Sequence, residues 1–512
     1  MKSIYKKYLT IAVVVTLASC SSDYLDTTPT NKVSPETIFE TTTNAKMAIN
    51  GIAKLMTSQH LKAQGYNGEG TIKLYYGELQ GDNLVVPKGA SSEKQILMTY
   101  NSNDEQRENY YPWYYYYSLI SNANLVLNSI DNAKGPEKER ATIKAQALTY
   151  RAYSNFMLAQ IYGNRWVDSN EGTTPAIVLK KNTSDKNQPL STLGEAYDFI
   201  YEDLTEAINL FKVAEYERKE SDFFEIDQSV AEAIFARVAL TKQDYVNAAK
   251  YAKNARAKYA LMDNENYQKG FFTPTKEWIW GSFGATDETL YFYSFFSYFA
   301  YNSSAGQIKN YPRRINKKLF EKIPKTDIRR GLFLDPENYD YNKETDLVKG
   351  GSDLDKKARK LFPEINSASK IYAHMQFKIG ASDMPGVGNL VHIRASEMYL
   401  IEAEAEYFLG NTTNAQQLLV QLNTSTKRDE SYTCAKTGQD LFNEIRTYRG
   451  IELWGEGSTW FDLKRWNVDL VREDYTKQGN VPVEFSKTIT PEQANKWTYV
   501  IPKKEKEQNP NI

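Results

Sequence analysis

The stretch AEAIFARVALTKQDYVNAAKYAKNARAKY, residues 231–259, decides the fold of this chain. Apolar residues recur there every three or four positions, which predicts two amphipathic helices that each bury one face. The residues of these faces are Val230, Ile234 and Val238 in the first helix and Tyr245, Ala248, Ala249, Ala252 and Ala255 in the second. Between them, Asp244 is a residue type that commonly caps a helix N-terminus. The small alanines let the helices approach closely, so we predict a helical hairpin.

Helical periodicity recurs elsewhere along the chain. It is found at 119–130 with 145–162, at 193–211, at 392–422 and at 441–470. Thr192 and Glu195 have the spacing of a capping box, which begins the helix at 193–211. The hairpin at 231–259 resembles a tetratricopeptide repeat, a helix-turn-helix unit that stacks on its neighbours.

Two long stretches, 60–112 and 263–390, separate the helical pairs and are irregular and rich in Pro, Gly and Asp. Long loops on a rigid scaffold are where binding residues are usually found. We therefore predict a mainly α fold in which four irregular tetratricopeptide-like helical hairpins form the scaffold and a loop-rich half binds the ligand.

The first nineteen residues have the pattern of a secretory signal peptide. Lys2, Lys6 and Lys7 form a basic head before a short apolar core. That core is too short to span a bilayer, which takes roughly 20 apolar residues. Leu17-Ala18-Ser19-Cys20 resembles the bacterial lipobox, in which cleavage before the cysteine leaves a thiol that carries lipid. We expect lipid on Cys20 and a tether over 20–40; the alternative is an ordinary signal peptide that ends near a cysteine.

Composition restricts the partners of the mature chain. Removal of three lysines with the signal peptide leaves 60 basic against 64 acidic residues, a net charge of −4, which argues against a nucleic acid partner. With Cys20 lipidated, Cys434 is left as a free, buried thiol, so we expect no intramolecular disulfide. The 37 tyrosines suggest a half-wet aromatic surface, in which a ring packs while its hydroxyl stays hydrated.

Catalytic and cofactor motifs are missing from the sequence. The histidines His60, His374 and His392 lack metal-ligand spacing, and no nucleophile elbow, P-loop or dinucleotide-binding glycine motif is present. We therefore expect no cofactor, no metal and no enzymatic activity. Two alternatives stay open: a glycosidase, which needs only two separated carboxylates, and a calcium ion in the acidic loop from Asp335 to Glu344.

Two stretches combine aromatic rings with amide and charged groups, as a glycan site requires, because sugar rings lie flat on aromatic faces and sugar hydroxyls need polar partners. The first contains Tyr100, Asn101, Arg107, Tyr110 and Tyr111, ahead of a helix expected near Trp113, and the second contains Tyr298, Tyr301 and Asn302. Asp82 is a further candidate. The alternative for each ring is packing against the helices, and we expect Trp278 and Trp280 in the core.

Several motifs resemble those of the SusD/RagB family, in the same order along nearly the whole mature chain. They are Asp23-Tyr24-Leu25-Asp26, residues 394–405, Arg449, Glu452-Leu453, Gly455-Glu456-Gly457 and Trp460-Phe461-Asp462-Leu463-Lys464-Arg465-Trp466. One departure is Ser458-Thr459, where the family often has an arginine. This removes one ion pair that the family could form there.

The resemblance implies an outer-membrane lipoprotein that faces the cell exterior and delivers a glycan, or in some relatives peptides, to a SusC-like TonB-dependent transporter. A pure interaction scaffold is a further alternative. The resemblance also implies one body over 41–512, with a helical half at 41–262 and a loop-rich region plus C-terminal motifs at 263–512. In such proteins the ligand contacts the loop before the first repeat helix and a later irregular segment, which are the two stretches above. For Glu397, Asp462 and Arg465 we expect buried salt bridges instead.

Overall fold

The computed structural model describes residues 38–284 and 293–512, and these residues are mainly α-helical. The helices are α1 Thr42–Leu55, α2 Gly68–Thr71, α3 Glu93–Leu97, α4 Arg107–Ser129, α5 Glu137–Tyr162, α6 Leu193–Ala214, α7 Gln228–Lys242, α8 Tyr245–Ala255, α9 Asn264–Tyr267, α10 Phe295–Phe299, α11 Gly306–Asn310, α12 Lys317–Phe320, α13 Asp353–Leu361, α14 Ala395–Phe408, α15 Thr412–Thr424, α16 Gly438–Glu452, α17 Thr459–Trp466 and α18 Lys503–Gln508. A π-helix, Ile72–Glu78, continues α2.

Three of the predicted hairpins are confirmed. Helix α7 packs against α8, and the turn between them places Gln243 at a positive φ of 65° before Asp244 caps α8 by accepting a 3.2 Å hydrogen bond from the Asn247 amide. The capping box of α6 is also formed, because the Thr192 amide donates to Glu195 and the Glu195 amide donates to Thr192. The pairs α4 with α5 and α14 with α15 likewise pack together.

The first long helix, α4, begins earlier than expected. We predicted a loop up to about Trp113, but the helix starts at Arg107 and contains Pro112. The prediction failed because the aromatic residues and the proline of this stretch are typical of a loop. Arg107, Tyr110 and Tyr111 therefore lie on the first turns of a helix.

Three small antiparallel sheets join distant parts of the described chain. Strand β1 (Leu84–Val85) pairs with β3 (Arg314–Ile315), β2 (Trp278–Ser282) with β4 (Leu390–Arg394), and β5 (Leu470–Arg472) with β6 (Lys487–Ile489). In the second sheet, Trp278 is opposite Arg394 and Trp280 is opposite Ile393, with irregular register between them. Both tryptophans are buried in the core, as predicted.

Buried ion pairs connect β4 to the C-terminal helices. The Arg394 guanidinium, 1% exposed, donates 2.7 Å hydrogen bonds to Glu277 and Glu452 and a 2.8 Å bond to Glu456. Arg329 adds a second 2.7 Å contact to Glu452. Burial raises the pKa of Glu452, but the nearby positive charges outweigh this effect. The pKa therefore lies well below its ordinary value.

The salt bridges predicted for the signature residues are confirmed. Glu397 pairs with Arg237 at 2.6 Å, and Asp462 accepts from Arg449 at 2.6 Å and from Arg465 at 2.8 Å. Arg465 also pairs with Glu404 of α14, so all three predicted residues fasten helices to one another.

The last residues of the chain pack on the N-terminal helices. The Tyr499 amide donates to the Ile161 carbonyl and the Val500 amide donates to the Asn101 carbonyl, both at 3.0 Å. Cys434 is a free thiol that is half-buried, so the expectation of a fully buried side chain is corrected. Within residues 38–284 and 293–512, no helix combines the length and the apolar character needed to cross a membrane.

Candidate ligand-binding site

Four of the predicted site residues lie in the core. Tyr100 and Tyr111 have no exposed surface, and Asn101 and Asn302 are 6% and 7% exposed. The Tyr111 hydroxyl donates to the Gly68 carbonyl at 2.9 Å, and Asn302 exchanges two 2.9 Å hydrogen bonds with the backbone of Ala381. These side chains hold the loops in place and offer no surface to a ligand.

The tyrosine-rich composition is thus largely a property of the core, which corrects the expectation of a half-wet aromatic surface. Tyr115, Tyr116 and Tyr153 are buried and point their hydroxyls at one buried carboxylate, that of Glu69, at distances of 3.2, 3.3 and 2.5 Å. Burial raises the pKa of Glu69 despite these three donors.

A smaller group of side chains lies between the two predicted stretches and is partly open to solvent at Tyr75, Tyr293 and Arg107. We define the tyrosine cluster as Tyr66, Tyr75, Tyr293 and Tyr298 together with Arg107 and Arg313. Tyr75 and Tyr293 are half-buried, Arg107 is exposed, and the other two rings keep 7% and 8% of their surface.

Short contacts fix the geometry of the tyrosine cluster. The Arg107 guanidinium lies 5.9 Å from the centre of the Tyr66 ring, and the rings of Tyr293 and Tyr298 are 5.9 Å apart. The Asn67 side chain joins the two parts by donating a 2.9 Å hydrogen bond to the Tyr293 carbonyl. The loop at Tyr66 and Asn67 therefore connects the first turn of α4 to the segment before α10.

Arg313 is the chemically unusual member of the tyrosine cluster. It is 1% exposed, and its Nε donates to the Tyr298 carbonyl at 2.8 Å, whereas its two Nη atoms have no hydrogen-bond partner in the described part of the chain. Burial lowers the pKa of Arg313 to about 10, only partly offset by the nearby Tyr75 and Tyr298 hydroxyls. A buried guanidinium without partners costs free energy, and a ligand oxygen that reached it would recover part of that cost.

The remaining predicted residues lie away from the tyrosine cluster. Tyr110 is half-buried beside Tyr114 and Lys504, and Tyr301 packs edge-on against Phe362 and Phe377. Asp82 lines a separate pocket between the C-terminal helices and strand β5. Of the nine predicted ligand contacts, only Arg107 and Tyr298 therefore belong to the cluster, and Cys20 lies outside the described residues.

Sequence reasoning missed Tyr66, Tyr75, Tyr293 and Arg313. Each lies in one of the two irregular stretches that were predicted to bind, but nothing in the local pattern distinguishes these rings from the buried ones. Asn67 and Tyr293 are 226 positions apart, so only tertiary packing brings them together.

The acidic loop from Asp335 to Glu344 is held by basic side chains. Asp335 accepts a 2.9 Å bond from Arg330, and Glu337 pairs with Lys325 at 2.7 Å. Over residues 38–284 and 293–512, no three His, Cys, Asp or Glu side chains are grouped as a metal site requires.

Comparison with known proteins gives matches along the chain. A sequence model described as starch-binding, associating with the outer membrane, matches residues 23–240. Two curated relatives from Formosa agariphila, SusD-like protein P38 and SusD-like protein P2, are 25% identical over 208 residues and 24% identical over 266 residues. The matches cover 40% and 51% of this chain but only 37% and 48% of those relatives, less than half of their length.

Solved structures share the fold over almost the whole chain. A SusD-like carbohydrate binding protein from Bacteroides vulgatus has a TM-score of 0.75 at 22% identity, over 93% of this chain and 98% of that one. A SusD superfamily protein from Bacteroides thetaiotaomicron has a TM-score of 0.70 at 22% identity, over 92% and 99%. The sequence model of the SusD family matches residues 231–512, which is more than half of the chain. The chain therefore belongs to the SusD/RagB family.

Proposed function

We propose that this protein is a lipid-anchored subunit on the outer face of the outer membrane that binds an extracellular glycan and delivers it to a SusC-like TonB-dependent transporter. Membership of the family supports this role, as does the description of the matching N-terminal model as starch-binding and associating with the outer membrane. We further propose that Cys20 carries the lipid, that residues 20–40 are the tether, and that the protein catalyses no reaction.

One observation carries the proposed ligand class. The tyrosine cluster combines two half-buried rings, Tyr75 and Tyr293, with the exposed Arg107 guanidinium over Tyr66. The buried Arg313 guanidinium donates to the Tyr298 carbonyl, and its Nη atoms have no partner among residues 38–284 and 293–512. Sugar rings pack their C–H faces on aromatic rings, and their hydroxyls accept hydrogen bonds from donors such as Arg107. Tyr66 and Tyr298 are neutral donors at physiological pH, as tyrosines ordinarily are, and burial raises the pKa of both phenols further.

Calorimetric titration tests this proposal. The full chain, in a detergent without a sugar headgroup, is titrated with starch, laminarin, xylan, alginate and a mixture of peptides. We expect saturable glycan binding that Tyr293→Ala and Arg107→Ala each weaken about tenfold, the loss of roughly one good contact. Tyr475→Ala is the matched control, because Tyr475 is 38% exposed and lies outside the cluster.

The other ligand classes are outcomes of the same titration. Binding of peptides in place of glycans would assign a peptide-uptake role, and release of reducing sugar from a bound polysaccharide would indicate a surface glycosidase. No binding to any component of the panel would favour a scaffold role and contradict the proposal.

A further inference from the structure

A second polar pocket lies apart from the tyrosine cluster and shares no residue with it. It has a volume of about 500 Å³ and is formed by helices α16 and α17, strand β5 and the segment at Asp82. This volume falls in the range of small-molecule sites, which is roughly 300–1,000 Å³. Its lining includes Asp82, Asn443, Arg446 and Trp466.

Arg446 lines this pocket. Its Nε is shielded from solvent and makes no hydrogen bond with any residue in 38–284 or 293–512. Aromatic side chains hold it in place, with the ring centres of Trp466 and Phe442 at 4.8 and 5.9 Å. By contrast, Arg449 on the same helix is paired with Asp462 at 2.6 Å.

The opposite side of the pocket carries the carboxylate of Asp82, which also has few hydrogen-bond partners. Asp82 is half-buried and accepts a 3.2 Å hydrogen bond from the Val471 amide, but it forms no ion pair with a described residue. Burial raises the pKa of Asp82, and the positive charges of Arg472 and Arg446 offset this only in part. Arg446 and Asp82 thus attract each other across the pocket without touching.

Such a pair favours a ligand that both accepts and donates hydrogen bonds at neighbouring atoms. A sugar hydroxyl accepts one hydrogen bond and donates another, so adjacent hydroxyls of one ring can serve a guanidinium and a carboxylate together. A simple anion would be repelled by Asp82 and by Asp469, which also lines the pocket, and a simple cation by Arg446 and Lys322. The amide of the exposed Asn443 adds a donor and an acceptor at the edge of the pocket.

We propose that this pocket is a second saccharide subsite, in which Arg446 donates to and Asp82 accepts from adjacent hydroxyls of one sugar unit. The subsite rests on the proposed function, because it assumes that the protein binds a glycan. The protein would then bind one polysaccharide molecule, or two, at two sites, which increases its apparent affinity for a polymer.

The test uses disaccharides, which remove the contribution of multiple attachment. The full chain in sugar-free detergent is titrated with maltose, cellobiose, laminaribiose and xylobiose, and the best disaccharide is then titrated against a Tyr293→Ala/Arg107→Ala variant that lacks the tyrosine cluster contacts. We expect this disaccharide still to bind the Tyr293→Ala/Arg107→Ala variant. Adding Arg446→Met to this variant should then weaken binding at least about tenfold, as expected for loss of a hydrogen bond to a charged group. Asp82→Asn keeps a neutral acceptor and should weaken binding less.

Control variants separate binding from folding. Asp82→Asn keeps an acceptor for the Val471 amide, Arg446→Lys keeps the charge and should restore part of the binding, and Arg140→Met removes an arginine outside the pocket and should change nothing. Unchanged binding in Arg446→Met would overturn the subsite. If the cluster variant binds no disaccharide that the unmodified chain binds, the subsite is wrong but the proposed function stands. If the unmodified chain binds no disaccharide and no polysaccharide, both fail.

Discussion

The hydroxyl of Tyr76 donates a 2.6 Å hydrogen bond to the carbonyl oxygen of Glu108, which is the carbonyl that Pro112 leaves without its helical donor. Proline has no amide hydrogen, so the carbonyl four residues before it in a helix needs another partner. Tyr76 is fully buried and supplies that partner from the π-helix after α2.

Tyr76→Phe should therefore destabilise the protein by about 1–3 kcal/mol, the cost of a buried polar group left unsatisfied. Urea unfolding followed by circular dichroism measures this change. In a Pro112→Ala background the substituted residue has an amide hydrogen that can bond the Glu108 carbonyl, so Tyr76→Phe should cost less there. An equal loss in both backgrounds would contradict the role assigned to Tyr76.

The buried ion pairs around Arg394 predict a large loss on substitution. Arg394→Met leaves Glu277, Glu452 and Glu456 without their shared cation, so the free energy of unfolding should fall by about 3–5 kcal/mol. Lys138→Met is the matched control, because Lys138 and Glu215 form an exposed pair worth less than about 1 kcal/mol. Similar losses in the two variants would show that the buried pairs do not stabilise the fold.

The buried carboxyl group of Glu78 should make the stability of the protein depend on pH. Burial raises the pKa of Glu78 from its ordinary value of 4.5 to about 7, although its carboxylate accepts from the Gly457 amide at 2.7 Å and from Thr459 at 3.1 Å. Because the pKa is higher in the folded chain, the contribution of Glu78 to stability is largest below pH 4.5 and declines as the pH rises to about 7.

Glu78→Gln removes this titration, so the variant should gain stability relative to the unmodified protein between pH 5 and pH 8, by about 3 kcal/mol at most. The measurement is the difference in thermal midpoint between the two proteins at several pH values. Taking the difference cancels the other groups that titrate in this range. A constant difference across that range would rule out the raised pKa.

The π-helix and the Gly455-Glu456-Gly457 motif approach so closely that they tolerate no extra atom. A Cβ at Gly77 would lie 2.2 Å from the Gly457 carbonyl oxygen. Gly77→Ala should destabilise the protein by about 3 kcal/mol, as overpacking does. Gly51→Ala, in α1 with open space around it, should stabilise by about 0.5–1 kcal/mol. The thermal midpoints of the two variants, each measured against the unmodified protein, should therefore shift in opposite directions.

The proposed anchor predicts a change in cell fractionation. With Cys20→Ala, incorporation of radioactive palmitate should be abolished and the protein should move from the membrane fraction to the soluble fraction, because each buried CH₂ of an acyl chain contributes about 0.8 kcal/mol to membrane binding. Cys434→Ala is the control and should label normally. Labelling that survives in Cys20→Ala would place the lipid elsewhere or remove it from the proposal.

The sequence pattern predicted the helices well, because the residues that begin a helix and form its buried face lie close together in the chain. Helix α8 could be read from its alanine spacing and from Asp244, both within one hairpin. The start of α4 could not, because the donor to the carbonyl that Pro112 leaves open is Tyr76, a residue outside this helix. The site was harder still. Tyr100 and Tyr293 look alike in sequence, and only packing decides that the first is closed inside the core while the second is half-buried.

The contacts of Tyr499 and Val500 with Ile161 and Asn101 set an order of events for this chain. Each of these bonds joins residues more than 300 positions apart. Such distant pairings delay folding, because the loop that they close must first be ordered. The native core is thus completed only when the segment at Tyr499 and Val500 reaches Ile161 and Asn101.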